Sequence, residues 1–176
     1  MGITSIKINR APVLTLWAVV VAERLGYEKE TALTLGKAVA VLNAQAKGRR
    51  LGIYEAKTEA GKAEDRRQET PVGVEYIDIL GRGIPAIRTP QGLRAALDGE
   101  VIRAESVETY LQKKFRADLD EARAAMQTLA EAHTAEELAS RAYDLYQKFR
   151  PEIPGGTKGW GAKGELDLDF IRSLAK

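Results

Sequence analysis

Gly159-Trp160-Gly161-Ala162-Lys163-Gly164 spells G-x-G-x-x-G, the spacing of a dinucleotide-binding turn. In that turn the glycines let the backbone close on a pyrophosphate at a helix N-terminus. The chemistry also needs a strand directly before the turn, a helix directly after it, and an acid about 20 residues on. Here the glycines follow Pro151 and Pro154, and no Gly-Lys-Ser/Thr completes a P-loop. The stretch 155–164 therefore reads as a Gly- and Lys-rich loop that offers Lys158, Lys163, free backbone N–H groups and Trp160. That indole either docks on the protein body or stacks on a base or partner.

Other reactive groups are sparse. There is no cysteine, which excludes disulfides, thiolate-held metal and cysteine catalysis. His133 is the single histidine, and no D-x-D-x-D loop offers calcium a site, so neither metal nor cofactor is expected. No G-x-S-x-G elbow is present. The acid pairs Glu136-Glu137 and Asp167 with Asp169 fit charges at helix starts, where the dipole favours them. No catalytic residue is assigned, and a binding protein is expected rather than an enzyme.

Basic residues are the remaining lead. Between 47 and 67, Lys47, Arg49, Arg50, Lys57, Lys62, Arg66 and Arg67 outnumber Glu55, Glu59, Glu64 and Asp65, seven to four. Lys47-Gly48-Arg49-Arg50 contains no acid and extends a helix, where the cations either complement the helix dipole or contact phosphates. Arg82, in a Gly81-Arg82-Gly83 turn, adds to the second reading. The candidate nucleic-acid contacts are therefore Lys47, Arg49, Arg50, Arg66, Arg67, Arg82, Lys158, Trp160 and Lys163.

The elements that would carry these groups follow from hydrophobic spacing. Pro12 suits a first helical turn, and Val13, Leu16, Trp17, Val20, Val21 and Leu25 predict an apolar helical stripe. Gly26-Tyr27 ends it, and a second helix over about 28–46 completes a helical hairpin. Ala32, Gly36, Ala40 and Ala44 lie four apart on that second helix and form a face of small residues. It would accept either Trp17, Val20 and Val21 of the first helix or the same face of a second copy in a homodimer.

Residues 47–70 read as a mobile charged connector. Residues 72–89 form the only strand-like stretch, a β-hairpin with Pro85 marking an edge strand. Thr89-Pro90 opens a short helix that Gly99 closes, and another helix runs from about 104 to 115. Asp118 with Glu121 and Thr134 with Glu137 match capping boxes that start two more helices, the second ended by Pro151 and Pro154. A last helix carries Leu166, Leu168, Phe170, Ile171 and Leu174.

The opening Ile8-Asn9-Arg10-Ala11-Pro12 with Trp17 resembles the start of a family of small bacterial proteins of unassigned function. Arg150-Pro151-Glu152-Ile153-Pro154, and Gly159-Trp160-Gly161 before Leu166-Asp167-Leu168-Asp169, are similar to that family's ending. The resemblance implies a bacterial cytoplasmic protein and transfers neither a catalytic motif nor a ligand.

Length and composition bound the rest. The 176 residues suit one compact domain over 1–176, and 44% hydrophobic with 30% charged residues suits a folded soluble chain. With only 6% aromatics the core must be aliphatic, which favours helix packing. No basic-then-apolar leader opens the chain, and the apolar run 13–22 is shorter than the ~20 residues a membrane span needs. The expectation is a mainly α (α+β), cytoplasmic protein with no membrane role, built from an N-terminal helical hairpin, one small β-hairpin and a C-terminal bundle of short helices. Its expected function is a nucleic-acid-associated or regulatory protein binding DNA or RNA backbone, or else a homo-oligomeric scaffold.

Overall fold

Pro12 through Ala22 are buried without interruption, so helix α1 (Arg10–Arg24) is the axis of the molecule rather than an amphipathic wall. The apolar stripe expected on α1 is thus a fully apolar cylinder, the pattern of a helix enclosed on all sides. The computed structural model describes residues 5–50, 74–97, 99–151 and 163–175, with backbone alone at 46–50 and 163. Among these the protein is mainly helical with two small antiparallel sheets, an α+β fold.

Helix α2 (Lys29–Arg50) returns beside α1 after Gly26, whose φ of 109° needs a residue without Cβ. Gly36 sits at the contact between the two helices. A Cβ there would stand 2.5 Å from Val19 Cγ2 and 2.6 Å from the Thr15 carbonyl. The small-residue face is therefore occupied by α1 of the same chain, through Thr15 and Val19. Trp17, expected to help fill it, packs instead against the helix that carries Ala142 and Phe149. Its indole N–H donates to the Ala142 carbonyl at 2.8 Å, and its ring meets Phe149 edge-on at 5.2 Å.

On its other flank α2 carries a four-stranded antiparallel sheet in the order β2 (Val74–Ile79), β3 (Arg82–Thr89), β4 (Gly92–Leu97), β5 (Glu100–Val101). The expected hairpin is half of this sheet, and its turn is Leu80-Gly81, both at positive φ, not Gly81-Arg82-Gly83. The helix expected after Thr89-Pro90 is instead strand β4. Thr89 Oγ1 donates to the Gly92 carbonyl across a tight turn. Thr34 Oγ1 of α2 accepts from Ala95 N at 2.9 Å, and Thr31 Oγ1 donates to the Leu93 carbonyl. Ala95 is fully buried against this contact, so tertiary packing overrides the helical preference of the alanines.

Helices α3 (Ala104–Phe115), α4 (Leu119–Glu131) and α5 (Ala135–Phe149) close around α1. They form one core with the N-terminal hairpin rather than a separate bundle. Thr134 and Glu137 make the expected capping box at the start of α5. Asp118 does not make the other one. A single 3-10 turn over 116–118 feeds directly into α4, and Asp118 has helical φ and ψ with no cap bond.

A second sheet, unforeseen in the sequence, pairs β1 (Ser5–Asn9) with β6 (Lys163–Asp167). Leu166, expected in the last helix, belongs to β6, and helix α6 (Leu168–Leu174) begins after Asp167, whose carboxylate accepts from Phe170 N. Arg10 Nε donates to the Pro151 carbonyl at 2.7 Å and ties the first helix to the corner after α5.

Candidate functional site

Strand β1 pairs only with β6 among the described residues. All five of its residues line a cleft of about 450 Å³ whose far wall is the end of α3 and the turn after it. That wall consists of Lys113, Lys114, Phe115, Arg116 and Asp118. Alternation along β1 buries Ile6 and Ile8 in the core and leaves Ser5 and Lys7 exposed. The cleft lining thus combines three apolar residues, Ile6, Ile8 and Phe115, with four basic residues, Lys7, Lys113, Lys114 and Arg116, and one acid, Asp118.

Helix α3 explains why the cations gather here. Its first half is balanced, with Glu108 paired to Lys29 at 3.3 Å and Glu105 to Arg103 at 3.6 Å. Its last turn holds Lys113 and Lys114 without an acid, which the helix dipole favours. The buried stripe Val107, Leu111 and Phe115 fixes the rotation of the helix, so that Lys113 and Lys114 are exposed.

Arg116 then takes φ 55°, ψ −130°, a conformation that favours glycine. Backbone strain of this kind concentrates at sites where the fold holds a residue for a purpose.

A further lysine, on α2, stands near Lys114. Lys37 Nζ stands 4.3 Å from the centre of the Tyr110 ring, and Lys114 Nζ stands 6.0 Å from the same ring. Burial, and then the like charge of Lys114, lower the Lys37 pKa from its ordinary value. Burial also raises the Tyr110 hydroxyl. The two ammonium groups thus share one aromatic ring, and their like charges act against each other. On the β1 side Lys7 lies opposite Glu165 in the strand pair, so the surplus charge comes chiefly from α3 and its turn.

The residues singled out in the sequence fall elsewhere or outside the described residues. Lys47, Arg49 and Arg50 continue α2 as its final turn. Arg66, Arg67, Lys158 and Trp160 lie outside the described residues, as does the connector beyond residue 50. Lys163 opens β6, so the Gly- and Lys-rich loop is shorter at its far end than expected. Arg82 starts β3 and donates to Asn43 Oδ1 of α2 at 3.0 Å, a structural tie that Tyr143 shares.

Ala32 and Ala40 are buried, and Ala44 is half-buried. His133 sits at the joint of α4 and α5, as expected. Among the described residues no group of three or more His, Asp or Glu is placed to hold a metal, and no helix is long and apolar enough to cross a membrane.

The sequence reading missed Lys7, Lys37, Lys113, Lys114 and Arg116. A signal existed in the run Lys113-Lys114-Phe115-Arg116, three cations around one buried aromatic. Comparison with protein-family models, with curated proteins and with solved structures found no match to this chain.

Proposed function

We propose that this chain is a nucleic-acid-associated binding protein that grips backbone phosphates in the cleft between β1 and the end of α3. The observation that carries the reading is the convergence of Lys7, Lys113, Lys114 and Arg116 on one cleft that holds a single acid. Phosphate contacts come chiefly from Lys and Arg side chains, the groups that gather in this cleft. The grip is sequence-tolerant, because nothing in it reads base edges.

The test is fluorescence anisotropy with labelled mixed-sequence DNA and RNA across a salt series. Binding should weaken steeply with salt, with roughly 0.9 of logarithmic slope for each phosphate neutralised on duplex. Replacing Lys113, Lys114 and Arg116 together by Ala should flatten that slope by about 2 to 3 and weaken all sequences alike. Full binding by the triple variant, with its salt slope intact, would overturn the proposal. A helix-capping role alone predicts a small stability loss and no change in binding.

A further inference from the structure

Four side-chain atoms among the described residues are buried without a hydrogen-bond partner: Glu23 Oε1, Arg24 Nε, Arg123 Nε and His133 Nε2. Buried polar atoms in folded proteins are almost always satisfied, so each exception needs a cause. These four are not scattered. Glu23 and Arg24 end α1, Arg123 lies one turn before Gln127 on α4, and His133 follows that helix. A groove of about 350 Å³ opens there, lined by Val20, Glu23 and Arg24 of α1 and by Gln127, Ala130 and Glu131 of α4. Arg123, Gln127 and Ala130 are spaced four and three apart, so Arg123 shares the flank of α4 that forms the groove.

We propose that this groove binds a small zwitterion of the free amino-acid type. Arg24 is already fixed, because its Nη2 donates to the His133 carbonyl at 2.9 Å and leaves the Nε–H without a partner. A guanidinium held this way is prepared to receive a carboxylate, and Arg123 offers a second unpartnered N–H. Glu23 Oε1 can only accept, so it calls for a cationic donor such as an ammonium group.

The groove lining carries Glu23 and Glu131 against Arg24, and Arg123, on the same flank of α4 beside the lining, brings the two signs into balance. The site therefore favours a ligand that is neutral overall and carries both signs, and its two carboxylates repel the polyanion that the basic cleft attracts. Val20 and Ala130, both buried, give the groove an apolar floor for a short aliphatic side chain. Its volume is at the low end of ligand sites, roughly ten water molecules, the scale of one amino acid.

The test uses the whole chain and three probes: L-leucine, leucinamide, which lacks the carboxylate, and 4-methylpentanoate, which lacks the amine. Amide chemical shifts at residues 20–24 and 127–133, followed by titration, should saturate with leucine and not with either analogue. Glu23→Gln and Arg123→Met should each weaken leucine about tenfold, the loss of one charge-assisted bond. Glu131→Gln, at an exposed residue, repeats the test with a weaker but measurable loss should Glu23→Gln fail to fold.

Three results would overturn the proposal. One is no saturable shift with any probe, which assigns the buried groups to hydration. Another is equal shifts with leucine and either analogue. The third is leucine binding untouched by all the variants that fold. None depends on nucleic-acid binding, so this proposal and that of the basic cleft can fail separately.

Discussion

Helix α1 shows two different faces to its neighbours. Toward α2 and α5 the contact is closed and satisfied: Gly36 admits Val19 at van der Waals limits, Thr15 Oγ1 donates to the Ala11 carbonyl, and the Trp17 indole finds the Ala142 carbonyl. Toward the end of α4 the same helix presents Glu23 and Arg24 to a groove in which polar atoms lack partners. The first face has the properties of a core, dense packing with every polar group answered. The second has the properties of a site, in which stability has been given up for groups awaiting a ligand. The contrast teaches where substitutions should act on folding and where on binding.

The largest effect is expected at the closed face. Trp17→Ala removes a fully buried indole, its bond to Ala142 and its edge-on contact with Phe149. It should cost about 3–5 kcal/mol, measured by urea denaturation, and lower the melting temperature accordingly. A loss below about 1 kcal/mol would mean that α1 is not the axis of the core. The same cluster should respond to alkali. Burial pushes the Tyr146 hydroxyl up to about 12, whereas an unfolded tyrosine ionises near its ordinary value of 10.0.

Below pH 10 the hydroxyl is neutral in both states and has no effect on the balance. Between the two values the unfolded chain releases the proton first, so stability falls as pH rises, by about 3 kcal/mol in all. Denaturation midpoints followed through that range should drop in the parent. They should drop less in Tyr146→Phe.

Gly36→Leu probes the α1–α2 seam itself. A side chain there meets Val19 Cγ2 and the Thr15 carbonyl at once, the latter being backbone that cannot turn aside. The expected cost is about 1–3 kcal/mol in denaturation, with unchanged mass in sedimentation because the seam lies within one chain. A fall in mass without loss of stability would instead assign this face to a homodimer.

How much of this was legible depended on whether local pattern and tertiary context agreed. They agreed at Thr134 and Glu137, where a cap is made by neighbours in sequence. They agreed also at the break after α1 and over α3, whose apolar spacing declares one buried face. They disagreed at β4. Leu93, Ala96 and Leu97 have helical spacing, but Ala95 is buried where the strand meets α2, and the helix supplies Thr34 to the strand.

They disagreed again at β6, where Lys163-Gly164-Glu165-Leu166-Asp167 has little strand preference and is held by pairing with β1, over 150 residues earlier in the chain. The candidate cleft was half legible. The run around Phe115 is visible in the sequence, but its junction with Lys7 and Lys37 is made only by the fold. The groove at Glu23 and Arg24 was not legible at all, because an orphaned atom is defined by what fails to surround it.

The smallest expected effect is the one that separates strain from packing most directly. Arg116 lines the basic cleft at φ 55°, and its side chain is exposed, so removing it costs no core contact. Glycine adopts that conformation freely, and Arg116→Gly should therefore stabilise the fold by about 1–2 kcal/mol, offset in part by the greater entropy of an unfolded glycine. The same change deletes one of four cations from the cleft, so anion binding should weaken while the melting temperature rises. Arg116→Lys is the companion: it keeps the charge and the strain, and should leave stability near that of the parent while retaining most of the salt-dependent binding. Opposite movements of stability and binding in Arg116→Gly mark a residue held in strain for its charge. If both fall together, Arg116 is a packing residue of the α3–α4 turn, and the cleft owes its charge to Lys113 and Lys114 alone.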